Sequence, residues 1–317
     1  MKKILVTTKL LKVNEEKISK LWDAKLNVNN EIYSENQLIE LSKDCDGILS
    51  SILDKIDKNM INKFSDKVKI ISNFAVGFGN IDTEAAKKRN IIVTNTPNVL
   101  TDATAEIAIL LMLGASRRVT EGIQWVKNKN WRWSADFLIG KQLSGSKLGI
   151  LGMGRIGRAV AKRAKAFGME IHYHNRSRLN QDFEEGAIYH DNIQSLFSIS
   201  DILSINCPAT AETEKIINKK TLKFFSKKSI IINSARGDMI DDDAMVEALK
   251  DKRIFALGLD VYNGEPNIHP GYLEHSNVFI LPHLGSATER TRVDMANLAI
   301  NNIEEFFKNG TCINKVN

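Results

Sequence analysis

Short apolar runs and amphipathic stretches alternate along the first hundred or so residues. KKILVTT, GILSSI, VKIISN and NIIVTN have the length and apolar content of strands, and stretches near Glu15 to Trp22, Asp57 to Phe64 and Asp82 to Lys88 have helical spacing. Strand and helix in regular succession predict a parallel, doubly wound sheet, since each parallel pair needs a crossover that a helix can supply. From Thr94 to Asn98, with Asn95 inside, the periodicity stops, and Thr96-Pro97-Asn98 reads as a crossing between domains.

TDATAEIAILLMLGASRR follows, with Thr101 as its predicted cap and apolar residues on almost every face. Such a helix is buried, either inside its own chain or in a seam between subunits, and the pattern favours neither. SKLGILGMGRIGRAVAKRAKAFGMEIHYHNRSR then gives strand, glycine loop, helix and strand, and DILSIN, SIIINSA, IFALGLDV and NVFILP continue the alternation. The last helix, Ala287 to Phe307, is long enough to travel back to the first domain. The expected division is a discontinuous domain of residues 1–98 and 287–317 and a second of residues 99–286.

Length supports two domains, because 317 residues exceed what one core usually serves. A 43% hydrophobic and 26% charged chain is an ordinary globular one. MKKILVTTKLLK is broken by Thr7, Thr8 and Lys9 and reads as a first strand, not a signal peptide; no run approaches bilayer length. Cys45, Cys207 and Cys312 are odd in number and far apart, which suits a reducing compartment and argues against a disulfide framework or a zinc site. A cytoplasmic protein is expected. The net charge of +6 comes from lysines spread along the chain, without a run of basic residues among aromatics, so neither a nucleic acid nor a membrane is an expected partner.

The glycine loop comprises Gly152, Met153, Gly154, Arg155, Ile156 and Gly157, after the strand KLGIL and at the start of a helix. In that context the first glycine permits the tight turn, the second lets backbone approach a pyrophosphate and the third lets helix and strand pack closely, with the phosphates on the positive end of the helix. An acidic residue about 20 positions further on would mark NAD. Asn175, Arg176, Ser177 and Arg178 stand there instead, and two guanidinium groups and a hydroxyl can take a 2′-phosphate. NADPH is therefore the expected cofactor, with NADH possible. His172 and His174 read as ordinary strand residues.

Arg236, Glu265 and His283 lie where strands run out into loops, in INSARGD, DVYNGEP and LPHLGSAT. Together they can clamp a keto acid's carboxylate, donate a proton and orient the donor.

With NFAVGFGNID, GMGRIG, NRSR, INSARGD, GLDVYNGEP and LPHLGSAT in this order, the chain resembles the D-isomer-specific 2-hydroxyacid dehydrogenases over essentially its whole length, most of all the glyoxylate and hydroxypyruvate reductases. The resemblance implies a flavodoxin-like substrate domain and a Rossmann cofactor domain, both doubly wound α/β sheets, with substrate in the cleft between them and a homodimer built largely through the cofactor domains. It implies that Arg236 binds the substrate's carboxylate and carbonyl oxygens, that His283 protonates the carbonyl oxygen as hydride reaches C2, and that Glu265 supports the protonated histidine. Backbone amides around Val76 and Gly77 would hold the carboxylate. Ser234, Ala235, Asp260 and Gly285 would lie near the nicotinamide, with Asp260 accepting from its carboxamide; Cys207 and Pro208 would flank the adenosine, and Thr104 would approach the cofactor.

Departures from relatives narrow the substrate. Formate dehydrogenases of this fold replace the histidine's carboxylate partner with an amide, and Glu265 argues against that reaction. Phosphoglycerate dehydrogenases carry an arginine where this chain has Asn73, so a phosphorylated substrate is not expected. Glyoxylate, hydroxypyruvate and pyruvate remain, the last as for a D-lactate-type dehydrogenase. Leu53 reads equally as a pocket-closing side chain and as plain packing, and Trp131 and Trp133 read first as a dimer contact. A nucleotide-sensing co-regulator is the alternative from another class, which turnover would discriminate.

Overall fold

The computed structural model describes all 317 residues, and the chain divides into two compact units, Met1–Leu100 with Ala287–Asn317, and Thr101–Ser286. The first unit alternates β1 (Lys3–Val6), α1 (Lys12–Leu21), β2 (Asp23–Leu26), α2 (Glu35–Ser42), β3 (Gly47–Ser50), α3 (Lys58–Lys63), β4 (Ile70–Asn73), α4 (Thr83–Lys88) and β5 (Ile92–Thr94). Its sheet is parallel, in the order β2-β1-β3-β4-β5. This is the flavodoxin-like order, whose switch point lies between β1 and β3. Every residue of β3 and β4 is buried, as expected for central strands covered on both faces.

The second unit begins with α5 (Thr101–Ser116) and α6 (Val119–Lys127), followed by β6 (Lys147–Leu151), α7 (Arg155–Ala166), β7 (Glu170–His174), α8 (Gln181–Glu184), β8 (Ile188–Tyr189), α9 (Ile193–Ile199) and β9 (Ile202–Ile205). It continues with β10 (Ile230–Asn233), α10 (Asp242–Lys250), β11 (Ala256–Leu259), α11 (Pro270–Glu274) and β12 (Val278–Ile280). The parallel order β12-β11-β10-β9-β6-β7-β8 is the Rossmann arrangement extended by one strand, and it reverses direction between β6 and β9. Ile230, Ile231 and Ile232 of β10 are wholly buried, each contributing about 1.5–3 kcal/mol relative to exposure. The chain then returns to the first unit as α12 (Glu289–Asn309).

Some boundaries differ from the periodicity for identifiable reasons. Thr101 is the first helical residue of α5, not its cap. The last helix starts two residues later than expected because the Thr288 hydroxyl accepts from the Thr291 N–H, and it runs to Asn309 before Gly310 adopts the left-handed conformation that ends it. α5 is buried within its own unit, against α7 and the β10–β12 side of the sheet. β2, β8 and α2 escape the apolar pattern. The two strands are edges with partly exposed residues, and α2 announces itself through a capping box, Ser34 with Gln37, and not through hydrophobic spacing. No helix is long and apolar enough to cross a membrane.

Candidate active site

In the second unit the carboxyl ends of β10, β11 and β12 deliver the three charged residues. Arg236 follows β10 and is placed by its neighbours: Asn233 Nδ2 donates to the Arg236 carbonyl at 2.7 Å, while Asn233 Oδ1 accepts from the Ala235 N–H at 3.0 Å. The next residue has to be glycine. A Cβ on Gly237 would fall 1.9 Å from the carbonyl carbon of Tyr262, so only a bare backbone lets the arginine loop lie against the segment that carries Glu265. The Arg236 guanidinium gives Nη1 to Ala235 O at 2.6 Å. Burial pushes its pKa down, against the opposing charges of Glu265 and Asp238. A desolvated cation with donors left over is suited to a carboxylate.

Glu265 and His283 form a pair. Glu265 Oε2 lies 2.6 Å from His283 Nδ1, and Oε1 accepts from the Tyr262 N–H at 2.8 Å. The carboxylate partner places the Nδ1 proton, which leaves Nε2 as the nitrogen that can present a proton outward. Burial raises the Glu265 pKa, but the bond and charge of His283, the Tyr262 amide and Arg236 outweigh it and hold the group below its ordinary value.

His283 has φ of 56°, the left-handed region, which costs a non-glycine residue about 1 kcal/mol or more. The residues after it hold that conformation. Asp260 Oδ1 accepts from the Leu284 N–H at 2.6 Å and Oδ2 from the Gly285 N–H at 2.8 Å, while the Thr104 hydroxyl donates to Gly285 O at 3.0 Å. Asp260, expected to accept from a nicotinamide carboxamide, therefore has both oxygens engaged as a brace for the histidine loop. Thr104 and Gly285 are likewise engaged with the protein itself.

The glycine loop can receive a dinucleotide. Gly152 has φ of 94°, and a Cβ there would strike the Cys207 backbone at 2.4 Å; one on Gly157 would meet Gly152 O at 2.4 Å. At Gly154, by contrast, a Cβ would meet nothing within 4 Å, so the start of α7 is bare and open, without a side-chain cap on its amides. Arg155 is exposed and Ile156 partly buried there. Asn206 Oδ1 and Ser234 Oγ, at the carboxyl ends of β9 and β10, are buried polar atoms without a protein partner. These features fit a nucleotide cofactor, and Asn206 has no counterpart among the residues expected from the sequence.

Two hydrogen-bond patterns bear on the expected cofactor residues. The Met153 N–H donates to Asn175 Oδ1 at 2.6 Å, which joins the glycine loop to the end of β7. Arg178 is in a two-pronged pair with Glu184, Nε to Oε1 at 2.7 Å and Nη2 to Oε2 at 3.1 Å, and Tyr173 also donates to Glu184 at 2.5 Å. A carboxylate is thus present near this strand end, and it takes Arg178. Arg176 and Ser177 are exposed, and Arg176 is in no ion pair within its unit. Cys207 is partly buried beside Met239, with its thiol pushed up to about 11 by burial, and Pro208 is exposed. His172 is a buried strand residue between Glu170 and His190, and His174 bonds the His190 carbonyl.

In the first unit the segment after β4 carries Val76 and Gly77. Asn73 Nδ2 donates to Gly77 O at 2.9 Å and to Asn80 Oδ1 at 3.1 Å, and Asn95 Nδ2 donates to Val76 O at 2.8 Å. Leu53 is 46% exposed. Trp131 and Trp133, at 70% and 82%, are not packed within their unit.

A family model described as "D-isomer specific 2-hydroxyacid dehydrogenase, NAD binding domain" matches residues 109–285. The chain is 38% identical to a glycerate dehydrogenase of Hyphomicrobium methylovorum, over 96% of each chain. It is 39% identical to a glyoxylate reductase of Thermococcus litoralis, over 99% of this chain and 96% of the relative. Among solved structures, the NADPH-dependent glyoxylate/hydroxypyruvate reductase of Sinorhizobium meliloti in complex with NADP and malonate superposes with a TM-score of 0.88 at 32% identity, covering 99% of this chain and 96% of that one.

Proposed function

Since the chain belongs to the D-isomer-specific 2-hydroxyacid dehydrogenases, oxidoreductases acting on CH–OH groups with a nicotinamide cofactor, we propose that it reduces a small 2-keto acid, glyoxylate or hydroxypyruvate, to glycolate or D-glycerate, with NADPH preferred. The observation that carries this reading is the His283–Glu265 pair, braced by Asp260, on the same unit as the desolvated Arg236.

A bound nicotinamide supplies hydride to C2. The chain's own residues manage charge and protons. Arg236 holds the carboxylate and draws the carbonyl oxygen toward its guanidinium, where negative charge grows as the carbonyl is reduced. His283 delivers the Nε2 proton to that oxygen, so the carbonyl gains one hydrogen at carbon and one at oxygen. Glu265 takes the Nδ1 side of the ring and fixes its orientation. The cofactor would rest on the loop from Gly152 to Gly157, with Asn206 and Ser234 facing it and Arg176 and Ser177 at its 2′-phosphate. In the first unit, the Val76 and Gly77 amides would take a carboxylate, and Leu53 would meet the substrate's side chain. The exposed Trp131 and Trp133 support a homodimer contact.

Loss of nicotinamide absorbance with glyoxylate, hydroxypyruvate, pyruvate and phenylpyruvate, each with NADPH and NADH, tests the proposal. Turnover of glyoxylate or hydroxypyruvate with a lower KM for NADPH is expected. Cofactor binding without turnover of any of these acids would point to a nucleotide sensor instead.

A further inference from the structure

Three consecutive carbonyls after β4 are tied back into the first unit. Ala75 O accepts from the Thr96 N–H at 2.9 Å, Val76 O from Asn95 Nδ2 at 2.8 Å, and Gly77 O from Asn73 Nδ2 at 2.9 Å. These peptides are trans, so the N–H of each points away from its own carbonyl. Consecutive carbonyls of an extended chain point to opposite sides. Here the oxygens of Ala75 and Val76 are held by adjacent residues, Thr96 and Asn95, and the N–H groups of the same two peptides, those of Val76 and Gly77, point away from those anchors. Neither donates to an acceptor in its unit. Two amides facing one way form a small anion-binding concavity, matched to the two oxygens of a carboxylate.

The Thr96 bond is ordinary backbone pairing. The Asn95 bond comes from a side chain, and it is the bond that anchors the second carbonyl. Asn95 is itself held firmly: its N–H donates to Asn314 O at 3.2 Å, its carbonyl accepts from Asn302 Nδ2 at 3.0 Å, and Asn314 Nδ2 donates to Asn302 Oδ1 at 2.9 Å. Asn95 is 9% exposed and Asn302 1%. Two asparagines, Asn302 of α12 and Asn314 of the C-terminal segment, thus hold the backbone from which the Asn95 side-chain amide reaches Val76 O.

We propose that Asn95 is a positioning residue for substrate: by holding Val76 O it aims the Gly77 N–H alongside that of Val76, so that the pair receives the carboxylate of the 2-keto acid. This rests on the reading of the chain as a 2-keto acid reductase. Asn95 would act through the Val76–Gly77 peptide and not by its own contact with substrate or cofactor.

Asn95→Ala removes the donor and frees the peptide to turn. The KM for glyoxylate and the inhibition constant of oxamate are expected to rise about tenfold or more, the scale of one hydrogen bond to a charged group, while kcat and the KM for NADPH change much less. Methylglyoxal, an uncharged dicarbonyl, is the control: its kcat/KM is expected to stay at the wild-type value, because it has no carboxylate for the amides to hold. Unchanged glyoxylate and oxamate constants overturn the proposal, as does an equal loss with methylglyoxal, which marks a general structural role. Where Asn95→Ala fails to melt cooperatively, Asn95→Asp decides in the same way, since it keeps the shape but turns an acceptor toward Val76 O. If the wild type reduces no 2-keto acid, the functional reading has failed; calorimetric binding of oxamate to wild type and variant still decides the role of Asn95.

Discussion

His283 Nδ1 and Glu265 Oε2 are 2.6 Å apart, and the other Glu265 oxygen is pinned by the Tyr262 N–H. Glu265 cannot swing away from His283 without also giving up the Tyr262 amide. His283 helps hold the Glu265 carboxyl below its ordinary pKa despite burial, so the pair is made with the carboxylate ionised.

Glu265→Gln keeps a partner for the ring but removes the carboxylate's negative charge from beside it. The pH above which reduction declines should move down by about 1 unit or more, while oxidation of the hydroxy acid, which needs the neutral ring, gains relative to reduction at lower pH. Rate profiles recorded in both directions check this. Superimposable profiles for wild type and variant would rule out the assigned role.

Much of this was legible in the chain, and the parts that were not share a cause. Buried parallel strands such as IIIN of β10 and the glycine loop stand out because their residue types are dictated locally, by burial on two faces and by turn geometry. Arg236, Glu265 and His283 stand out because charges directly after apolar runs are unusual. What stays hidden is how side chains are spent. Arg178 looks as available as Arg176 until Glu184, six residues on, is seen to take its fork. Asp260 shows no sign in the chain that the Leu284 and Gly285 amides lie on its two oxygens and make it a brace for the histidine loop. Asn95 looks like linker, because an asparagine that donates to a backbone carbonyl leaves no periodic trace.

The separate fates of the two arginines give a cofactor prediction. Arg176→Ala should raise the KM for NADPH about tenfold or more, one charge-assisted phosphate contact, and leave that for NADH nearly unchanged. Arg178→Ala should leave both nearly unchanged and lower the melting temperature, because it strips a buried carboxylate of its cation. Steady-state kinetics with both nucleotides, alongside melting curves, separates the two residues; a loss of NADPH selectivity confined to Arg178→Ala would reverse the assignment.

Glu184 also makes acid stability testable. The bonds from Arg178 and Tyr173 outweigh its burial and hold its pKa down to about 2. A carboxyl depressed in the folded state stabilises above the unfolded value, near the ordinary pKa of about 4.3, and that contribution fades as pH falls toward about 2. Denaturant unfolding of wild type and Glu184→Gln between pH 2 and 7 should show the wild type more stable at neutral pH and the gap narrowing with acid. A gap independent of pH would mean that the pair contributes through shape alone.

Arg236 is the group whose chemistry and backbone are hardest to separate, and three variants separate them. Arg236→Lys keeps the charge but loses the planar fork that can hold two oxygens at once, so kcat/KM for the keto acid should fall by about a hundredfold or more, on the scale of one lost transition-state donor. Gly237→Ala leaves the guanidinium intact, yet the added methyl would lie 1.9 Å from the Tyr262 carbonyl carbon. Something must shift, and what shifts is the loop that sets Arg236 against the Glu265 segment. Its kcat/KM should therefore fall together with a lower melting temperature, whereas Arg236→Lys, whose wild-type guanidinium spends only one bond on the protein's own backbone, should melt close to the wild type. Added guanidinium ion should partly restore Arg236→Ala and do nothing for Gly237→Ala, because only the first has a vacancy of the right shape. Kinetics within about threefold of wild type for Arg236→Lys would mean that charge alone suffices, against the fork geometry argued for Arg236.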